Sequence, residues 1–347
     1  MTPDPKKLTL SASAQSELAE AVTAVRPSLL GLPYPNVVGV GAGIKWKGGQ
    51  PTGKPALIVL VTQKLPKAAL PKEALIPTKL EDTPTDVLAI GYPFAGMRRP
   101  QSVNVQLLAE RARPAKGGYS VGHFAITAGT LGTCVYDILP EGSSSPPQNG
   151  IGTPERFYIL SNNHVIANSN DASPGDAILQ PAPFDGGEDP ADRIASLSRY
   201  IPIDLTPAKP VEEHVNLVDA ALAEGNFGDL DREIYWSGHA RGWHPKENVT
   251  VGMLVKKTGR TTHFTTGRIT VVDATVDVNY GEGRVARFTD QIITTPMSAG
   301  GDSGSLVLTL DNVALGLLFA GSPQSTILNQ IENVRSLLRV EVAETIV

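Results

Sequence analysis

From Tyr119 onward the chain is written in short apolar runs separated by turns rich in Gly, Asp, Asn and Pro. That pattern constrains the fold more than any other feature. Runs of this length do not carry an amphipathic helix to useful length, whereas they suit short strands that turn back and pair with their neighbours, as in an all-β sandwich or barrel. The 34 glycines and 28 prolines among 347 residues reinforce the reading, because both punctuate regular structure. Strands are expected at 130–139, 156–160, 177–180, 194–200, 217–223, 252–256, 266–272, 284–288 and 291–294. Segment 141–155, with three serines and three prolines, reads as an exposed hairpin tip.

Before this region the pattern differs. Leu18, Ala21, Val22 and Val25 recur at helical spacing, which predicts an amphipathic helix that Pro27 stops. Strands rich in Val and Ile follow at 36–45, 56–62 and 86–91, with 66–77 linking the last two. Arg98, Arg99, Arg111, Arg113 and Lys116 mark a composition shift between this part and the β-rich remainder. The sequence therefore divides into an α+β N-terminal domain, 1–110, with a regulatory or assembly role, and a larger domain, 111–347. At the far end Ile327, Ile331, Val334 and Leu338, widened by Leu337, predict a helix that caps a barrel.

Composition excludes several function classes. Thirty basic against 35 acidic residues give a net charge of −5 without a basic tract, so no nucleic acid or anionic membrane is expected as a partner. The longest apolar stretches, 56–61 and 313–320, are far short of the roughly 20 residues that cross a bilayer. The one cysteine, Cys134, reads as a buried strand residue and cannot form an intramolecular disulfide. No continuous apolar core follows Lys6 and Lys7, so a cytoplasmic location is the expectation.

The chemistry concentrates at Gly300-Gly301-Asp302-Ser303-Gly304-Ser305. Small residues around Ser303 permit a sharp bend that presents a hydroxyl and two N–H groups to one point, as a nucleophile with an oxyanion hole requires. Taken alone, the same residues also describe an ordinary turn. Two apolar runs around Asp311-Asn312 follow, so the serine precedes a β-hairpin. An α/β-hydrolase needs a helix after the serine and a later histidine, and no histidine follows His263. A serine hydroxyl needs an imidazole base, itself oriented by a carboxylate. His164, in Ser-Asn-Asn-His-Val after a strand, has the best setting of the six histidines. Asp219, in Val-Asp-Ala-Ala-Leu on an expected strand, is an acid among small and apolar neighbours, where a charge demands a partner.

Ser-Asn-Asn-His-Val, Val-Asp-Ala-Ala-Leu and Gly-Asp-Ser-Gly-Ser, in the order His, Asp, Ser, resemble the trypsin-like, chymotrypsin-fold serine peptidases over roughly 119–340. The whole chain looks most like disulfide-free bacterial relatives of the plant narrow-leaf protein, a match supported by 128–132 and 259–262. The resemblance implies a mainly β fold, a chymotrypsin-like double β-barrel with a C-terminal helix, preceded by the small α+β domain. It implies a serine endopeptidase acting on protein or peptide substrates, with His164 as general base and acid, Asp219 as its orienter and Ser303 as nucleophile. By the same resemblance Gly301 and Ser303 N–H groups form the oxyanion hole, Met297 lies near the floor of the substrate pocket, and Phe319, Ala320 and Gly321 run along its wall. Met297 in place of an acid argues for an apolar or small side chain in that pocket and against a basic one. In many such enzymes the Asp before the nucleophile pairs with an N-terminus freed by cleavage. Asp302 here must find another partner or await processing.

Other signals are weaker. Gly48 to Lys54 approaches a phosphate loop, but Pro55 replaces the magnesium-binding hydroxyl residue and a strand follows, so a hairpin turn is expected. Gly39, Gly41 and Gly43 fall short of a dinucleotide fingerprint, and tight β packing explains them. Residues 185–189 lack the ligand pattern of a calcium loop. No cofactor or metal is expected. For the peptidase, gating by the N-terminal domain or by assembly into a homo-oligomer is the expectation; a rival to catalysis is a peptidase-fold scaffold, weak or inactive, that binds protein partners.

Overall fold

The computed structural model describes residues 5–30, 34, 36–80, 82–96, 107–126, 128–138 and 157–342. The expected hairpin tip at 141–155 and the Arg98 and Arg99 part of the junction lie outside these residues. The fold is mainly β, with two large sheets curled as half-barrels and few helices. In the first sheet, strands run in the order Val340–Glu341, Thr133–Asp137, Phe157–Ser161, Ala221–Gly225, Arg193–Tyr200, Ala177–Leu179, Ser120–His123 and Gly129–Thr130. The second contains a closed circuit of six: Leu254–Gly259, Leu306–Thr309, Val313–Ser322, Ser325–Gln330, Arg284–Thr294 and His263–Gly281, whose start pairs back with Leu254–Gly259.

The same His263–Gly281 strand carries the N-terminal segment. It runs for 19 residues, and its middle pairs with Val37–Lys47, which continues the sheet through Gln50–Val61 and Thr83–Ala89. The close approach explains the alternate glycines. A Cβ on Gly39 would strike the Thr275 carbonyl, and one on Gly41 the Val271 side chain. Leu18, Val22, Val25 and Leu29 of helix Ala12–Leu29 then pack in one core with Val40, Val59, Ile269 and Leu315. Thus residues within 1–110 share both sheet and core with the second barrel.

Several local expectations are corrected. The helix runs past Pro27 to Leu29, since a proline in the last turn removes one N–H bond while Leu29 still buries its side chain. The 284–288 and 291–294 runs form one strand through Asp290, whose φ of 61° absorbs the irregularity. Ile327 belongs to strand Ser325–Gln330, and the terminal helix is only Ile331–Leu338. Gly48 and Gly49 turn a hairpin with φ of 59° and 74°, the left-handed pair that such a turn favours.

Candidate active site

His164 sits in the short helix Asn163–Ile166, immediately after strand Phe157–Ser161. Asp219 precedes strand Ala221–Gly225 rather than lying on it, and the pairing of these two strands sets the residues side by side. His164 Nδ1 lies 2.6 Å from Asp219 Oδ2, and its backbone N–H donates to Asp219 Oδ1 at 3.1 Å. The carboxylate is fully buried, so these bonds replace its lost hydration. His164 Nε2 is buried and has no hydrogen-bond partner among the described residues.

Tyr280 completes the carboxylate's shell and was not singled out from sequence. Its hydroxyl donates to Asp219 Oδ2 at 2.7 Å, and its ring meets the His164 ring edge-on at 6.0 Å. Burial, with the Asp219 charge adding to it, holds the Tyr280 phenol well above the usual tyrosine range, so it remains a donor. Behind Asp219, its N–H donates to Asn329 Oδ1 at 3.1 Å and Asn162 Nδ2 donates to its carbonyl at 2.7 Å.

Ser303 follows Asp302 in a bend where Gly301 and Gly304 have φ of 98° and 96°. These are left-handed values that glycine adopts without strain. A side chain on Gly304 would also strike the Thr130 carbonyl. The bend is joined to the His164 region: Thr130 N–H donates to the Ser303 carbonyl at 2.7 Å, and the Ser161 hydroxyl donates to the Thr130 carbonyl at 2.8 Å. Ser303 Oγ reaches the Phe319 carbonyl at 3.5 Å.

Two carbonyls around Ser303 are held so that the following amides point elsewhere. Thr261 Oγ1 donates to the Gly300 carbonyl at 2.8 Å, and Ser305 donates to the Asp302 carbonyl from N at 3.0 Å and Oγ at 2.6 Å. In a planar trans peptide N–H opposes C=O, so the Gly301 and Ser303 amides are directed away from those partners. Neither makes a hydrogen bond among the described residues.

Asp302 has its partner within the chain. Lys257 Nζ lies 3.1 Å from Asp302 Oδ2, both side chains wholly buried. The carboxylate also accepts from Thr261 N at 2.8 Å, Thr262 N at 3.0 Å, Thr262 Oγ1 at 2.5 Å and Ala299 N at 3.0 Å. Lys257 Nζ donates further to Thr262 Oγ1 and to the His263 carbonyl. Burial pulls the Lys257 pKa below the usual lysine value while the Asp302 charge opposes that pull. A signal existed: strand alternation places Lys257 on the face of buried Val255.

A cleft of about 340 Å³ adjoins Ser303, lined also by Ala299, Gly300, Leu318, Ala320 and Gly321. Of the residues expected at the substrate pocket, Ala320 and Gly321 line this cleft, and the side chains of Met297 and Phe319 lie elsewhere. Met297 packs in the core beside Ile269 and Val307, and the Phe319 ring lies against Phe288 in another core, leaving its carbonyl to face Ser303. Hydrophobic packing on the inner face of the barrel outweighs exposure in the cleft for both. Cys134, its thiol pushed up to about 12 by burial, lies in the first barrel's core and not in this site. No cluster of three or more His, Cys, Asp or Glu side chains able to hold a metal occurs among the described residues.

No family model matches the chain. It is 40% identical over 82 residues to glutamyl endopeptidase 2 of Streptomyces griseus, a match covering 24% of this chain. The chain spans only 40% of the length of that curated relative. Among solved structures, protease A of Thermobifida fusca is similar with a TM-score of 0.43 and 17% identity, over 66% of this chain and 98% of that one. A glutamic acid-specific serine protease described as using a histidine triad in substrate binding gives 0.42 and 21%, over 65% and 98%. Cellulomonas bogoriensis chymotrypsin gives 0.42 and 19%, over 66% and 98%.

Proposed function

We propose that the chain is a serine endopeptidase of the chymotrypsin-like kind, with Ser303, His164 and Asp219 as its triad. The observation that carries this reading is the Asp219 carboxylate bound at 2.6 Å to His164 Nδ1 while Nε2 has no partner among the described residues. A proton on Nδ1 is fixed by that bond, which leaves the Nε2 lone pair to act as a base. The partial likeness to glutamyl endopeptidase 2 supports the same class of reaction.

In this mechanism the Ser303 hydroxyl gives its proton to His164 Nε2 as Oγ bonds to the substrate carbonyl carbon. The oxygen of the tetrahedral intermediate takes negative charge and accepts from the Gly301 and Ser303 amides. Breaking the C–N bond sends the proton from His164 to the leaving amine. Water then repeats the sequence on the acyl-enzyme, releasing the acid and restoring Ser303. No freed N-terminus is needed to order the bend in this reading, because Lys257 supplies the cation for Asp302.

The described residues lining the cleft carry no ionisable group other than the Tyr92 phenol, so an apolar or small side chain before the scissile bond fits it best. The preference for glutamate in the relative's name is not carried over, since the described residues of the lining offer neither cation nor histidine. The test is a pair of measurements on purified protein: peptide cleavage, and mass mapping after reaction with a small organophosphonate. Wild-type protein should cleave and carry the phosphonyl group on Ser303, and Ser303→Ala should do neither while keeping its unfolding midpoint. Labelling elsewhere, or cleavage that survives Ser303→Ala, would overturn the proposal.

A further inference from the structure

Strand Val313–Ser322 pairs with Leu306–Thr309 only as far as Leu317, while its other side stays paired with Ser325–Gln330 up to Ser322. The side released by Leu306–Thr309 runs past Ser303, whose Oγ meets the Phe319 carbonyl. Because backbone groups repeat every second residue, Phe319 and Gly321 face that same side. A strand edge next to a nucleophile is where an extended peptide adds its own backbone bonds.

The Gly321 position on this edge is already taken. Phe94 N–H donates to the Gly321 carbonyl at 3.1 Å, and Gly321 N–H donates to the Phe94 carbonyl at 3.2 Å, an antiparallel bridge. The far side of the same segment is fastened too. Ala95 N–H donates to the Asn279 carbonyl at 3.0 Å, and Asn279 N–H to the Pro93 carbonyl at 3.1 Å. The hydroxyls of Ser322 and Ser325 both donate to the Ile90 carbonyl. A peptide that displaced the segment would restore the two bonds on Gly321 and leave the two between residues 93–95 and Asn279 unmade. Tyr92, Phe94 and Gly96 of the segment line the space shared with Ser303.

Resting on the peptidase reading above, we propose that segment 92–96 is a permanent wall of the substrate cleft and that Tyr92 and Phe94 are specificity-determining residues. The segment stands where the more distant acyl-side residues of a substrate would pair, so recognition falls on the side chain next to the scissile bond. That side chain is uncharged and apolar, of a size limited by the two rings. Substrates lengthened on the acyl side gain nothing from pairing with Gly321.

The test uses the full chain. For blocked anilides carrying the same apolar residue, extending the acyl side from one residue to four should change kcat/KM by less than about threefold. Phe94→Ala and Tyr92→Ala keep the backbone bonds and enlarge the space, so each should raise the ratio of kcat/KM for Phe over Ala next to the scissile bond about tenfold. Hydrogen exchange at the Phe94 amide should stay slow when a tetrapeptidyl phosphonate occupies Ser303. A hundredfold gain with length, or fast exchange at Phe94 in that complex, would mean the segment is displaced and would overturn the proposal. An unchanged Phe/Ala ratio in both variants, with unfolding midpoints retained, would also overturn it. A small organophosphonate that fails to label Ser303 would instead bring down the peptidase reading, and this proposal with it.

Discussion

Replacing Lys257 by Met keeps most of the side-chain volume and removes the cation that faces the Asp302 carboxylate. Removing one partner of a buried ion pair costs about 3–5 kcal/mol, because the remaining charge cannot recover its hydration. Four donors stay with Asp302, namely the amides of Thr261, Thr262 and Ala299 and the Thr262 hydroxyl. They compensate part of the loss, which places the expected destabilisation near the low end, about 3 kcal/mol. The effect reaches the site through Thr261, which accompanies its amide bond to Asp302 with a hydroxyl bond to the Gly300 carbonyl. If that peptide turns, the Gly301 amide is misdirected, and loss of one oxyanion donor lowers the rate about 10²- to 10³-fold. Urea unfolding followed by fluorescence gives the first quantity, and the rate of Ser303 phosphonylation gives the second. Adding Asp302→Asn removes the orphaned charge, so the double variant should recover about 2 kcal/mol over Lys257→Met alone. A loss below about 1 kcal/mol in Lys257→Met, together with an unchanged phosphonylation rate, would refute the argument.

Two further predictions follow from buried groups. Tyr280→Phe deletes one of three donors to Asp219, and the kcat for peptide cleavage should fall about tenfold with little change in KM, the scale of one hydrogen bond to a charged group; an unchanged kcat would show that Tyr280 does not position the carboxylate. Burial first, and the Asp290 charge second, raise the Asp273 carboxyl from 3.8 to about 6 in the folded protein. The folded state therefore holds the extra proton between about pH 4 and pH 6, so Asp273 costs stability progressively as pH rises through that window. Asp273→Asn, at a φ of 50° that Asn tolerates, should raise the urea midpoint at pH 7.5 by the equivalent of about 1–3 kcal/mol and leave it unmoved at pH 4. An equal change at both pH values would count against this account.

How much of the site was legible follows from where each partner lies. His164, Asp219 and Ser303 each carry a local signature, a rigid strand end, an acid among apolar neighbours and a glycine-flanked bend, and the structure sets the first two in direct contact. Tyr280 carries no such mark. It sits near the end of the long strand His263–Gly281, paired there with Arg284–Thr294, and only the fold brings it to Asp219, 61 positions earlier. Lys257 was marked only by strand alternation. Met297 and Phe319 carry no local mark of which way they face: Met297 lies after strand Arg284–Thr294 and packs in one core, and Phe319 lies in strand Val313–Ser322 and packs in another.

By itself the sequence determined a mainly β chain, since short apolar runs between turn residues leave strands as the way to satisfy the backbone. It also determined the tight bend at Ser303 and the glycines that allow strands to touch, because sterics and dihedral preference act within a few residues. Tertiary structure alone decided that residues before Gly96 would share a sheet with the second barrel and that Phe94 would pair with Gly321. A strand edge accepts any extended backbone, so its partner is settled by packing and chain path and not by the local code.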